Sequence, residues 1–340
     1  MSTPPRFTPV VAIAAAALIA LTGCSMEGGG GSSRPDAAPG ACTPEDLVIG
    51  YVNPSVTNQG WIIIGQGATD AAADRGVELR TFGPPTEGDA SGQVTVVQDL
   101  IAGGADALAI APVDSSALVP AVEEANAAGV PVVNLDSEIE GGELASFVAT
   151  DSYAAAQTQA EAVAEHIGGA GKVILINGSQ AYSTGRERRD GFVDTMTEKY
   201  PDVTVLEVET EWDAQSAQQG LEDLLTANPD VLAVANAWDG ATVAAAPVLE
   251  DFGNDDIYLI GFDGAADAIA LMEKGKVDAI VSQELYQMGY TAIDTAVDAA
   301  CGEEVEKRID TGSRLLTPDN VEDFIDENPP ILREFIDKAS

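Results

Sequence analysis

One histidine and three cysteines in 340 residues leave little material for metal or triad chemistry. A zinc site needs several convergent ligands, and no Cys/His cluster exists, so His166 reads as surface or core filler. No GxxxxGK[ST] loop is present to cradle phosphates, no GxSxG elbow to raise a serine, and no HExxH pair. Paired carboxylates can hydrolyse glycosides, but nothing here singles out an acid/base pair. The sequence therefore offers no enzyme, no cofactor and no metal site. Basic residues are scarce too: 16 Lys and Arg stand against 56 Asp and Glu, a formal charge of −40 spread along the chain. Such a surface repels polyanions, which excludes nucleic acid and anionic lipid as partners.

What is present is a hydrophobic fraction of 45%, enough for real cores, in a chain long enough for two domains. Long apolar runs are confined to residues 10–21, preceded by Arg6, and that run is too short to span a bilayer well. Leu21-Thr22-Gly23-Cys24 follows it and resembles a bacterial lipobox, in which the cysteine is lipidated and becomes the first residue. The Gly/Ser/Pro-rich stretch after it, with residues 24–43 as a flexible tether, suits an anchored domain. This gives a signal peptide at 1–23 and an extracytoplasmic protein tied to the cell membrane by lipid on Cys24. Two cysteines remain, Cys42 and Cys301. In an oxidising compartment they form a disulfide or stand as separate buried thiols.

The chain is organised around residues 91–138, which read as helix, strand, helix, strand. Val94, Val97 and Ile101 share a helical face, and Gly103-Gly104 ends that helix. Residues 107–111 form a buried strand, Asp114-Ser115-Ser116 offers cap oxygens, and residues 130–135 form the next strand. This βαβ unit implies a parallel sheet covered by helices. About ten strands alternate with helices, which suits two sheets. Helices are expected at 61–74, 157–167, 191–200, 217–227, 242–251, 266–274 and 289–300, with Pro247 near the first turns of its helix and an irregular tail after residue 305. Open α/β sheets bind ligands beyond the carboxyl ends of their strands. The polar residues there are Asn53, Asp114, Asp136, Asp151, Asn177, Asn236, Asp239, Asp263 and Gln283.

From about residue 47 to 320 the chain resembles the periplasmic sugar-binding proteins of the ribose-binding type, which feed ABC importers. The matching segments are VVQDLIAGGADALAIAPVDSSALVPAVEEANAAGVPVVNLDSE, FVATDS, GRERRDGF, LLTANPDV, YLIGFDG and VDAIVSQ, in that order. The resemblance implies an α/β fold of two Rossmann-like doubly wound lobes, periplasmic binding protein type I. Three crossovers fall near Thr150-Asp151, Gln283-Glu284 and Asp310-Thr311. The amino lobe is then 44–150 plus 284–310, and the carboxyl lobe 151–283 plus 311–340. The helix at 289–300 would run from the hinge to the base of the amino lobe, which places Cys301 near Cys42 and favours the disulfide.

The same resemblance implies a ligand set of Asn58, Trp61, Asp136, Arg186, Trp212, Asp263 and Gln283, with Trp238 and Asp239 beside them. All three tryptophans lie at these positions. Three positions depart from the ribose pattern: Ser137 stands where arginine is usual, Gly60 replaces an aromatic, and Trp238 replaces asparagine. A different sugar, a polyol or a cyclitol is therefore expected, captured by a monomer that delivers it to an ABC importer permease. The alternatives are a surface ligand sensor of the same fold and a binder of a cationic amine caged by the tryptophans.

Overall fold

Short apolar runs punctuated by glycine and proline build two mostly parallel sheets. The computed structural model describes residues 42–55, 58–83, 88–253 and 256–340. The signal segment 1–23, Cys24 and nearly all of the tether lie outside the described residues. The first lobe opens with β1 (Val48–Val52), α1 (Gln59–Arg75), β2 (Glu78–Phe82), α2 (Ala90–Ala102), β3 (Ala107–Ile110), α3 (Val119–Ala127), β4 (Val132–Leu135) and β5 (Ser146–Ala149). The chain then crosses into α4 (Ser152–Ile167), β6 (Ala170–Ile176), α5 (Ser183–Lys199), β7 (Asp202–Val208), α6 (Ala214–Ala227), β8 (Val231–Asn236), α7 (Asp239–Phe252), β9 (Tyr258–Asp263), α8 (Ala266–Glu273) and β10 (Ala279–Gln283). It returns through α9 (Leu285–Ala300) and β11 (Arg308–Asp310), then ends with β12 (Ser313–Leu316), α10 (Val321–Glu327) and α11 (Pro330–Ala339) in the second lobe.

Each sheet has six strands, in the orders β11-β5-β4-β3-β1-β2 and β12-β10-β9-β8-β6-β7. All pairings are parallel except β10 with β12. The order reverses between β1 and β3 in one lobe and between β6 and β8 in the other, the place where doubly wound sheets leave a crevice. Strands β3, β4 and β5 are buried at every residue, as expected when helices cover both faces.

Helix α9 crosses back from the second lobe and packs along α1. The two helices touch at glycines: a Cβ on Gly67 would lie 2.0 Å from the Tyr286 carbonyl oxygen, and one on Gly289 1.8 Å from that of Ile64. Arg75 pairs with Asp294 at 2.6 Å and Asp298 at 2.5 Å on the same seam. Cys301, just past α9, is bonded to Cys42 ahead of β1, with Cα atoms 5.3 Å apart.

The structure corrects several sequence expectations. Helix α5 begins at Ser183 rather than near Gly191, because GRERRDGF is itself helical. Pro247 lies well inside α7, not near its start. The tail is not irregular: β11 and β12 each close a sheet edge, and Pro330 opens α11, where a missing N–H is harmless. Among the described residues no helix is long and apolar enough to cross a membrane.

Candidate ligand-binding site

A cavity of about 300 Å³ lies between the carboxyl ends of the two sheets. Asn58, Trp61 and Asp136 line it from the first lobe, and Arg188, Trp212, Trp238, Asp239 and Asp263 from the second, with Gln283 at the crossing between them. Asn58 also caps α1, its Oδ1 accepting from the Gly60 N–H at 2.9 Å, which sets Trp61 in the first turn. Only three non-glycine residues among those described have positive φ: Asp136 (65°), Trp212 (59°) and Asp263 (114°). All three line the cavity. Backbone in that region is strained for side chains other than glycine, and surrounding bonds must hold it there.

Those bonds come from two buried polar residues. Asn134, at the end of β4, donates from Nδ2 to the Ser137 carbonyl at 2.9 Å and accepts the Ile139 N–H at 2.9 Å. It fastens the turn that presents Asp136. Asp239 does the same in the second lobe, accepting from the N–H groups of Phe262, Gly264 and Ala265 at 3.1, 2.9 and 2.7 Å. It clamps the turn that presents Asp263. Asp239 was expected to contact ligand; its carboxylate is instead engaged with the backbone, although the residue borders the cavity.

Arg186, the expected ligand contact of GRERRDGF, does not line the cavity. It donates to the Gln180 carbonyl at 2.8 Å and pairs with Glu140. Arg188 takes the place instead, 5% exposed, with Nη1 donating to Asp263 Oδ1 at 3.0 Å and to the Ala237 carbonyl at 2.8 Å. Its guanidinium also lies 4.1 Å from the Phe262 ring centroid. The physical reason is helical phase. Thr184 and Arg188 are four residues apart and share a face of α5, whereas Arg186 lies half a turn away.

Gln283 Nε2 also donates to Asp263 Oδ1, at 2.8 Å, while Oδ2 receives only the Asp239 N–H at 3.4 Å. Asp263 thus keeps acceptor capacity toward the cavity. Asp136 Oδ2 accepts from Ser137 Oγ at 3.1 Å. Burial holds the Asp136 and Asp263 carboxyls above the usual aspartate range, with the Arg188 charge opposing the rise in both. Burial raises Asp239 further and the Asp263 charge adds to it, against its three backbone donors.

Trp212 and Trp238 meet edge to face, centroids 5.4 Å apart at 89°, and Tyr182 packs edge-on against Trp212 at 5.8 Å. Gly178 makes room for Trp212: a Cβ there would lie 2.0 Å from the indole. The remaining strand-end polar residues do not line the cavity. Asp151 caps α4, accepting the Ala154 N–H at 2.9 Å, and Asp114 accepts from Ser116 and Ala117 at 2.8 and 2.7 Å. Asn177 donates to Glu207 and Glu209. Asn53 and Asn236 are buried outside the cavity wall.

Indole faces and bond-ready carboxylates on two facing lobes form a site for a small polar molecule with apolar faces. Comparison with known proteins agrees. Residues 49–304 match the periplasmic binding protein domain. The ribose import binding protein of Bacillus subtilis is 32% identical over 300 residues, covering 88% of this chain and 95% of that protein. A solute-binding protein from Mycobacterium smegmatis with bound glycerol is 31% identical, with TM-score 0.75 over 82% of this chain and 96% of the other. A carbohydrate transporter solute-binding protein from Agrobacterium radiobacter, in complex with D-arabinose, is 28% identical, with TM-score 0.77 over 85% of this chain and 98% of the other. With its two doubly wound lobes and the cavity between them, this chain belongs to the periplasmic binding protein domain family.

Proposed function

We propose that this protein captures a neutral sugar or sugar-like polyol between its lobes and delivers it to an ABC importer permease. The jaws are 44–150 plus 284–310 and 151–283 plus 311–340. One observation carries the reading: Asp136 and Asp263, with acceptor capacity left toward the cavity, stand among Trp61, Trp212 and Trp238 from both lobes. Sugars present hydroxyl edges and apolar faces, and this wall answers both. Asn58, Trp61, Asp136, Arg188, Trp212, Trp238, Asp263 and Gln283 contact the ligand, and Asp239 holds Asp263 in place. The relatives named for ribose, arabinose and glycerol support the class, while Ser137, Gly60 and Trp238 set this site apart from the ribose pattern. Lipid on Cys24 ties the protein to the outer face of the membrane, and Cys24→Ser releases it into the soluble fraction or leaves the signal uncleaved.

A thermal-shift screen over aldoses, polyols, inositols and amines tests the reading. A sugar or polyol at ~100 times its Kd stabilises by about 2.7 kcal/mol, a shift of several degrees. Response to amines alone, with no sugar or polyol, overturns it.

A further inference from the structure

Beside the cavity, the first turn of α5 fastens the two lobes directly to each other. The first N–H groups of a helix have no partner within it, and α5 has no side-chain cap of its own. The Ser183 N–H donates instead to Ser115 Oγ of the first lobe, at 3.3 Å. Ser183 Oγ accepts the Glu138 N–H at 2.7 Å, again across the cleft. The hydroxyls of Thr184 and Ser137 meet at 2.9 Å, and Arg186 pairs with Glu140. On the opposite flank Gln59 Nε2 donates to Asp267 Oδ1 at 2.8 Å. Ser115, Ser137, Ser183 and Thr184 are all buried.

Of the α5 contacts only Thr184 borders the cavity; Ser115, Ser137, Glu138, Glu140, Ser183 and Arg186 do not. These bonds join lobe to lobe without a ligand atom between them. Ser137 is informative, because it stands where the ribose pattern carries an arginine. Its hydroxyl turns to Thr184 and Asp136, not to the cavity.

We propose that the α5 turn is a latch that stabilises the closed lobes whatever fills the cavity, with Ser115 and Ser183 as its positioning residues. A ligand that binds the closed form gains apparent affinity in proportion to the closed fraction. The latch therefore scales the affinity for every ligand by one factor, while the cavity wall sets the choice among them.

The test uses the soluble chain with its disulfide intact and spin labels on Ser91→Cys and Gln215→Cys, exposed positions on the two lobes. The Ser115→Ala/Ser183→Ala double variant, which alters no residue of the cavity wall, is expected to lengthen the label distance without sugar. It is also expected to weaken D-ribose, D-arabinose and xylitol by the same factor, roughly tenfold for two neutral hydrogen bonds, with their ranking kept. An unchanged distance distribution, or losses that differ among the sugars, overturns the latch. Arg186→Gln repeats the measurement at a half-buried position in case the buried serines are needed for folding. The affinity arm rests on the solute-capture reading. If the parent protein binds none of the three sugars, the distance arm still decides the latch.

Discussion

Arg188 Nη1 sits 3.0 Å from Asp263 Oδ1, so the guanidinium in the cavity wall is already neutralised by a carboxylate of its own lobe. An anionic ligand finds no free positive charge there, only Asp136 and Asp239 beside the pair. This disfavours anionic ligands and gives Asp263 a structural role in its own lobe beside the ligand contact proposed for it.

Asp136→Asn and Asp263→Asn each remove a charged acceptor from the cavity. A hydrogen bond to a charged group contributes ~1.5–3 kcal/mol, so calorimetry with the sugar found by screening should show binding weaker by roughly ten- to a hundredfold. Asp263→Ala should in addition lower stability by about 1–3 kcal/mol, less than the ~3–5 of a fully buried pair, because Arg188 loses its partner. Asp114→Ala serves as the control: it should cost about 1 kcal/mol of stability and leave affinity intact. Wild-type affinity in both Asn variants means the site lies elsewhere.

Gly178→Ala places a methyl group where the Trp212 indole now lies. The ring must swing away, breaking its edge-to-face contact with Trp238. Tryptophan emission should shift and sugar affinity fall roughly two- to tenfold, since aromatic pairs contribute ~0.5–1.5 kcal/mol beyond burial. Unaltered emission together with unaltered affinity would contradict the role given to Trp212.

Acid should weaken binding before it weakens the fold through these groups. Asp136, Asp239 and Asp263 have folded pKa values above the unfolded value of ~3.9. Their contribution to stability is complete below ~3.9 and is lost as pH rises through the folded values. Lowering the pH from 7 thus does not destabilise the chain at these positions. Binding runs the other way, because protonation removes the acceptors that ligand hydroxyls need. Titrations at successive pH values should show affinity falling above pH ~4 while the melting temperature holds; constant affinity down to pH ~4 refutes the carboxylate role.

Cys42–Cys301 closes a separation of 259 residues. In the chain-entropy model so long a loop contributes up to ~5 kcal/mol. The Cys42→Ser/Cys301→Ser protein should melt lower by several degrees, with sugar affinity unchanged because neither residue borders the cavity. Free thiols in denatured, unreduced parent protein would show that the bond does not form.

Much of this site could be read from strand ends. Asp136 follows β4, and Asp263 and Gln283 are the last residues of β9 and β10, so a strand-end search finds them without any tertiary information. Arg188 was missed because choosing among Arg186, Arg188 and Arg189 requires the phase of α5. An expected start near Gly191 leaves all three outside the helix; the Thr184–Arg188 spacing was the available signal. Asn134 is the harder miss. It sits inside an apolar strand, VVNL, and nothing local distinguishes a buried asparagine that staples a turn from a tolerated polar residue. The short strands β11 and β12 carry too few residues for a periodic pattern, and their place is fixed by the β5 and β10 edges they join.

The return of α9 and β11 to the first lobe delays the usual order in which a chain matures. Domains commonly fold amino end first as they emerge. Here β1 through β5 emerge first, yet α1 lacks its main helix partner until residues 285–300 arrive, and the β5 edge waits for residues 308–310. The second lobe has β6 through β10 in one continuous stretch, but it waits in turn for β12 at its edge and for α10 and α11, the latter packed on α8. During passage across a membrane, both halves are therefore completed only near the end, the earlier one at residue 310 and the later one at residue 339. The half made earlier must keep the face of α1 that meets α9 uncovered until nearly the whole chain is through.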